Sequence, residues 1–294
     1  MKMKYHMDIT SFAVDLYWMF SPTDLADEFK ENVSEIREGA ELIKKESLQC
    51  KTRTLHFFNH KNRFEPRKIR LFGLPPSLTL YPTSEHSLRK YIKELRRDFA
   101  EGFSKNSYRL IGKILHLVQD MSSPPNVVPV YHSANGGDSF EAILDFRMSS
   151  CLSNFNYNQD RFNMVSECSV GSNCIENIYQ GAALKTLDYI ASSNSQFDIE
   201  IDGKTRKAGW DLFWNGDETV RSSSARYRLH RIEGFGCYGP LGKHFGQEQV
   251  KVSSNRYVVN SSIYDGLCDF VINKSIEDSL KILICIENQI KRLR

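Results

Sequence analysis

His116 and Asp120 stand four residues apart in the segment Gly112-Lys-Ile-Leu-His-Leu-Val-Gln-Asp-Met121. On an α-helix that spacing places an imidazole and a carboxylate on one face, about one turn apart. Both can then reach the same metal ion or the same bound water. On the helical wheel Ile111, Leu115 and Val118 share one side, and His116 and Asp120 fall on roughly the other. The helix can thus pack one face into a core while the other offers two ligands. Pro124-Pro125 follows and stops it, because proline cannot donate into the ladder and restricts the residue before it. A solvated His and Asp on an ordinary surface helix would show the same spacing, so the neighbouring elements and the remaining ligands carry the distinction.

The elements that must hold this segment read as helices. Ile9, Phe12, Ala13, Leu16, Tyr17 and Phe20 recur with helical period over residues 7–20. Ser21-Pro22 reads as an N-cap and first helical position, opening a helix to about Glu46 with Leu25, Phe29, Val33, Ile36, Ala40 and Ile43 on its stripe. The proline-bearing stretch 47–82 reads as long loop. A helix starts at Thr83 or Ser84, the ligand helix covers about 106–121, and Asp138-Ser-Phe-Glu141 has the form of a capping box before the next. After a Ser/Asn-rich loop at 149–173, a helix is expected at about 174–192. Residues 194–258 look irregular, with short strands at most, and Trp210, Phe213 and Trp214 read as core. Two closing helices are expected at about 260–272 and 275–292, the second capped by Ser275 with Asp278. The expected architecture is all-α: one domain over residues 1–294, a multi-helix bundle with long loops and no sheet larger than a hairpin.

Composition narrows the partners. The 39 basic and 36 acidic residues leave a formal charge of +3, so bulk charge makes no case for nucleic acid or membrane binding. No segment approaches the roughly 18 apolar residues of a membrane span, and no signal-peptide run is visible at the start. The expectation is a cytoplasmic chain, one exported by a non-classical route, or one whose leader has been removed. The seven cysteines are scattered, without a CxxC pair, and read as free thiols, with Cys168 and Cys174 the exception considered.

Eight histidines supply further candidate ligands. Zinc takes His nitrogen and carboxylate oxygen, and a catalytic site leaves a position open for water. At this point the chain resembles the zinc-dependent phospholipases C, which share an all-α fold with the fungal single-strand-specific nucleases. His6-Met-Asp-Ile-Thr10-Ser-Phe-Ala13 is similar to the family's H-x-x-I-T-x-x-A. Glu38-Gly39-Ala40 and His56-Phe57-Phe58-Asn59 are similar to its E-G-A and H-F-x-[DN]. Gly112 to Met121 is similar to G-x-x-x-H-x-x-Q-D-M, and Asp138-Ser-Phe-Glu141 to the D-x-F-E that follows. The resemblance spans residues 6 to about 146. It implies two or three zinc ions, with His6, His56, His116, Asp120, His132 and Glu141 at ligand positions and Asp120 at the catalytic centre. Two positions depart from the pattern. Ile43 and Lys44 stand where the family has Glu-Asp, for which Glu41 or Glu46 could substitute, and Asn126 stands where it has a histidine ten residues after the first. Asn126 can ligate through its carbonyl oxygen, a poorer zinc donor than imidazole.

The resemblance implies hydrolysis of a phosphodiester by metal-activated hydroxide, most directly a phospholipase C acting on a glycerophospholipid such as phosphatidylcholine at a transient membrane surface. Nucleic acid is the less favoured substrate, because a basic stripe with stacking aromatics is missing. Two alternatives stay open: a zinc nuclease or nucleotidase, and a catalytically impaired descendant that binds lipid or a protein partner, motivated by Lys44 and Asn126.

Overall fold

A computed structural model describes residues 3–49, 56, 58, 67–68, 80–81, 84–128, 130, 139–167, 169, 171–215 and 237–293. Among the described residues ten α-helices dominate: α1 (Met3–Phe20), α2 (Asp24–Glu31), α3 (Val33–Gln49), α4 (Ser84–Glu101), α5 (Lys105–Asp120), α6 (Pro124–Val127), α7 (Ser139–Asn154), α8 (Gln159–Glu167), α9 (Cys174–Ala191) and α10 (Ser261–Leu293). The chain is mostly helical with a small sheet. Apolar side chains from the long helices and from the sheet form one continuous buried cluster.

The ligand helix α5 is the hub. It starts on a capping box between Ser104 and Ser107, the two hydroxyls answering each other's backbone N–H groups. Helices α3, α4, α1, α10 and α9 all pack on it. Consequently Leu110, Ile114, His116, Gln119 and Asp120 are all buried, on every side of the helix. The side that carries His116 and Asp120 faces an internal polar site.

The closest of these contacts is the crossing of α3 and α5, where two glycines meet backbone. A Cβ on Gly112 would lie 1.9 Å from the Ile36 carbonyl oxygen, and one on Gly39 would lie 2.0 Å from the Arg109 carbonyl oxygen. No side chain fits in either place. Ile36, Ala40 and Ile43 of α3 are buried around this crossing.

Several elements differ from the sequence expectation. The helix expected from Pro22 to Glu46 is broken at Asn32, whose backbone N–H and side-chain amide both turn back to the Glu28 carbonyl. Its N-cap is Thr23, which accepts from the Ala26 N–H, rather than Ser21. The two closing helices are one, α10, because Ser275 and Asp278 spend their side chains elsewhere. The Ser275 hydroxyl pairs with Tyr5 Oη at 2.8 Å, and Asp278 pairs with Lys274 and Lys281. The stretch 149–173 holds the end of α7 and all of α8.

The largest correction concerns the stretch 194–258, expected to be irregular: residues 197–208 and 249–259 form a four-stranded antiparallel sheet. Two-residue strands β1 (Arg67–Lys68) and β2 (Leu80–Tyr81) pair with each other, as do β5 (Trp214–Asn215) and β6 (Cys237–Tyr238); the larger sheet consists of β3 (Phe197–Ile201), β4 (Lys204–Ala208), β7 (Gln249–Val252) and β8 (Asn255–Val259), in the order β4-β3-β8-β7. It exceeds the hairpin expected. The β3–β4 turn is Asp202-Gly203, both at positive φ (52° and 78°), the backbone that a two-residue hairpin turn requires. Phe197, Ile199, Tyr257 and Val259 point into the core, where Phe197 meets Trp210. Trp210, Phe213 and Trp214 are buried there with Phe140, Phe245 and Tyr264, as expected of core aromatics.

The cysteine expectation is also corrected. Cys174 at the start of α9 is bonded to Cys285 in α10, with Cα atoms 6.2 Å apart and a sequence separation of 111. Cys151 and Cys268 are free and buried; Cys168 lies outside the described residues. No described helix is long and apolar enough to cross a membrane.

Three stability outcomes are expected. Gly112→Ala should cost about 3 kcal/mol or more in chemical denaturation, because helix backbone must move to admit the methyl. Gly181→Ala, within α9 and with open space around the added Cβ, should instead gain roughly 0.5–1 kcal/mol from helix propensity. Replacing Cys174 and Cys285 by Ser should lower stability by about 4–5 kcal/mol under non-reducing conditions, the chain-entropy value for so long a loop.

Candidate metal centre

His6 comes from α1, and His116, Gln119 and Asp120 from α5. His56 occupies a short 3-10 turn, and Asn126 lies in α6. The prolines that end α5 also open α6 at its first two positions, where no donor is needed. The Ser122-Ser123 turn between the two helices reverses the chain, so that Asn126 returns over the end of α5. Its side-chain amide donates to Asp120 Oδ1 at 2.9 Å. The Asn126 carbonyl in turn accepts from the Phe58 N–H at 3.1 Å, tying the His56 segment to the same place.

His6, His116 and Asp120 are buried, and their ligand atoms lie within 4.8 Å of one another. His6 and His116 stack, with ring centroids 3.7 Å apart and planes inclined by 18°. Each imidazole commits one nitrogen to a support. His116 Nδ1 lies 2.6 Å from the Ala40 carbonyl oxygen, which can only accept, so this nitrogen carries the proton. His6 Nδ1 lies 2.8 Å from Gln119 Oε1. The opposite nitrogens face the carboxylate: His6 Nε2 is 3.5 Å from Asp120 Oδ1, and His116 Nε2 is 3.4 Å from Asp120 Oδ2. His6 Nε2 is buried and makes no hydrogen bond. His56 adds a third imidazole, its Nδ1 2.6 Å from Asp120 Oδ2 and 3.3 Å from His116 Nε2. At 17% side-chain exposure, it is less enclosed than the triad.

Burial pushes the His116 imidazole down to about 4, and the His6 ring against it adds to the effect. Burial likewise lowers His6 and His56, against the pull of Asp120. Burial alone would raise Asp120, but the His56 and His116 imidazoles on its oxygens outweigh it and hold the carboxyl well below the usual carboxylate range. At neutral pH the cluster is therefore one carboxylate among neutral imidazoles. Hydrogen bonds from His56 and Asn126 answer part of that buried charge, and a bound cation would offset more of its desolvation.

The donor set fits a divalent transition metal. A tetrahedral zinc ion with bonds of ~2.0–2.1 Å separates its donors by about 3.3 Å, close to the observed nitrogen–oxygen separations. The ring nitrogens not offered to it are held by a backbone carbonyl and an amide oxygen, the outer support that metal-bound histidines need. His6, His116 and Asp120 can thus hold an ion, with His56 beside them.

The other sequence candidates fall as follows. Asn126 meets Asp120 through its amide nitrogen, so it supports a ligand rather than offering its own oxygen. Glu141 is on α7, partly buried and outside the triad. His132 and Asp138 lie outside the described residues, as do the side chains of Lys44 and Glu46. Ile43 is buried in the core. Among the described residues this is the one group of three that can hold a metal. Sequence reasoning missed the supports. Gln119 stands in the motif with no role assigned to it, although a polar residue beside a ligand on a buried helix is itself a signal. Nothing local marked Ala40, whose contribution is a carbonyl, or Ser279.

No family model, curated protein or solved structure matches this chain.

Zinc titration of the purified, chelator-stripped protein should show one tight site. His6→Ala and His116→Ala should each weaken it at least 100-fold while far-UV circular dichroism is kept. His244→Ala, outside the cluster, should leave it unchanged.

Proposed function

We propose that this protein is a zinc-dependent phosphodiester hydrolase, with a glycerophospholipid such as phosphatidylcholine as its substrate class. The observation that carries the reading is the pair of stacked, buried imidazoles whose Nδ1 atoms are held by Ala40 and Gln119 and whose Nε2 atoms face an ionised Asp120. The substrate class rests on the resemblance of residues 6 to about 146 to zinc-dependent phospholipases C. A bound zinc ion would supply Lewis-acid stabilisation of a phosphoryl oxygen and acidify a bound water.

The chain's own residues have separate tasks. Ala40 and Gln119 orient the two imidazoles. Asn126 and His56 donate to opposite oxygens of Asp120, so the carboxylate is held in one orientation. Asp120 is a ligand kept ionised, which makes it a weak proton acceptor; the general base is a different group.

One observation favours a second reading, a catalytically impaired descendant that binds lipid or a partner. Where the family pattern places a histidine, Asn126 presents N–H groups, and these add no donor lone pair for a metal.

The direct test is headgroup release from phosphatidylcholine vesicles by the zinc-loaded protein, run beside cleavage of single-stranded DNA. Release of phosphocholine, abolished in His116→Ala, supports the proposal. DNA cleavage without headgroup release would move the substrate class to nucleic acid. Zinc binding with neither activity, and a gain of at least tenfold in both zinc affinity and turnover in Asn126→His, would favour the impaired reading.

A further inference from the structure

Gln119 is fully buried on α5, between two candidate ligands. Its side chain spans three helices. Oε1 meets His6 Nδ1 of α1 at 2.8 Å. Nε2 donates to Thr10 Oγ1 of α1 at 3.1 Å and to Ser279 Oγ of α10 at 3.0 Å. The two amide hydrogens thus have two hydroxyl acceptors, and the amide oxygen is left for the imidazole. With the amide held this way, His6 must carry its proton on Nδ1.

The far side of the ring agrees. His6 Nε2 has no hydrogen-bond partner, and Asp120 Oδ1, 3.5 Å away, already accepts from Asn126 at 2.9 Å. A proton on Nε2 would reach its acceptor, Asp120 Oδ1, only over a long 3.5 Å. A lone pair there is instead a donor atom ready for a metal. The opposite amide orientation would reverse both ends, placing the proton on Nε2 and removing His6 as a ligand.

We propose that Gln119 is a positioning residue that locks His6 in its Nδ1–H tautomer, with Thr10 and Ser279 accepting its two amide hydrogens. The ligand set of the metal centre is then decided jointly by α1, α5 and α10. This rests on the metal-site reading above, but its central claim concerns the metal-free protein.

The test is two-bond 1H–15N correlation of the histidine rings in the metal-free, full-length chain, which separates the two tautomers of a neutral imidazole. The wild type should show His6 protonated at Nδ1. Gln119→Leu should shift His6 toward the Nε2–H form, leave His116 unchanged on the Ala40 carbonyl, and weaken zinc binding 10–100-fold. Gln119→Glu keeps an acceptor at the same place, with Thr10 and Ser279 as donors to it, and should retain the Nδ1–H form. Ser279→Ala, a milder change should Gln119→Leu not fold, should give a mixture of the two tautomers. An Nε2–H tautomer in the wild type would overturn the inference, as would an unchanged His6 tautomer in Gln119→Leu, or in Ser279→Ala if the leucine variant is unfolded. If the tautomer behaves as stated and zinc does not bind, the positioning role stands and the metal-site reading fails.

Discussion

The crossing of α3 and α5 is the constraint on which the interior depends. Two helices can bring their backbones together only where side chains are absent, and Gly39 and Gly112 supply that absence from both sides. The approach is close enough for a backbone carbonyl of one helix to accept from a side chain of the other, as Ala40 does from His116 at 2.6 Å. A carbonyl inside an intact helix already accepts one bond along the axis; its second lone pair is usable only by a donor that comes this near. The glycines are therefore part of the polar site although neither touches a ligand. They decide the tautomer of His116, and so which of its nitrogens faces Asp120.

The second constraint is the buried charge. Asp120 is fully enclosed, and the protein answers its desolvation with an amide from Asn126 and an imidazole from His56. His6 and His116, though closest in space to each other, present their unprotonated edges rather than donating to the carboxylate. Such an arrangement wastes two possible hydrogen bonds to an ionised group, an unfavourable choice in a low-dielectric interior. It becomes favourable when a cation occupies the space between the three donors, because each imidazole lone pair and the carboxylate then face positive charge. The geometry is one that could hold an ion between the three donors.

The C-terminal helix α10 gives the same site its backing. Ser275 holds Tyr5 on the turn of α1 that carries His6, and Ser279 holds the amide of Gln119. These hydroxyls lie one helical turn apart on α10, which is why the helix runs straight through Ser275 instead of starting there. The Cys174–Cys285 bond fixes α10 against α9 farther along. Polar residues that look like helix boundaries in isolation serve as internal supports once a neighbour with buried polar groups packs against them.

Much of the frame was legible in the one-dimensional pattern. The 3.6-residue period marked α1, α4, α5 and α9 to within a few residues, because an amphipathic helix repeats locally. The His116–Asp120 spacing placed a candidate ligand pair on one helix for the same reason. The break at Asn32 was not legible, since the apolar stripe continues through it while the backbone turns on a local side-chain bond. The four-stranded sheet is readable in part: Asp202-Gly203 is a strong hairpin signal after the alternating run Phe197-Asp-Ile-Glu-Ile201, although the following Lys204-Thr-Arg-Lys-Ala208 carries little strand preference of its own. Pairing β3 with β8, across 53 or more residues, leaves no local trace. Nor do the Ala40 carbonyl, the direction of the Gln119 amide, the partner of Cys174, or the meeting of His6 with His116. By itself the sequence determined which segments are helical and which side chains had the chemistry to bind a metal, because period and residue type are properties of the chain. Only the tertiary structure decided which nitrogen each imidazole presents, because that depends on which acceptor a different helix brings within hydrogen-bond reach.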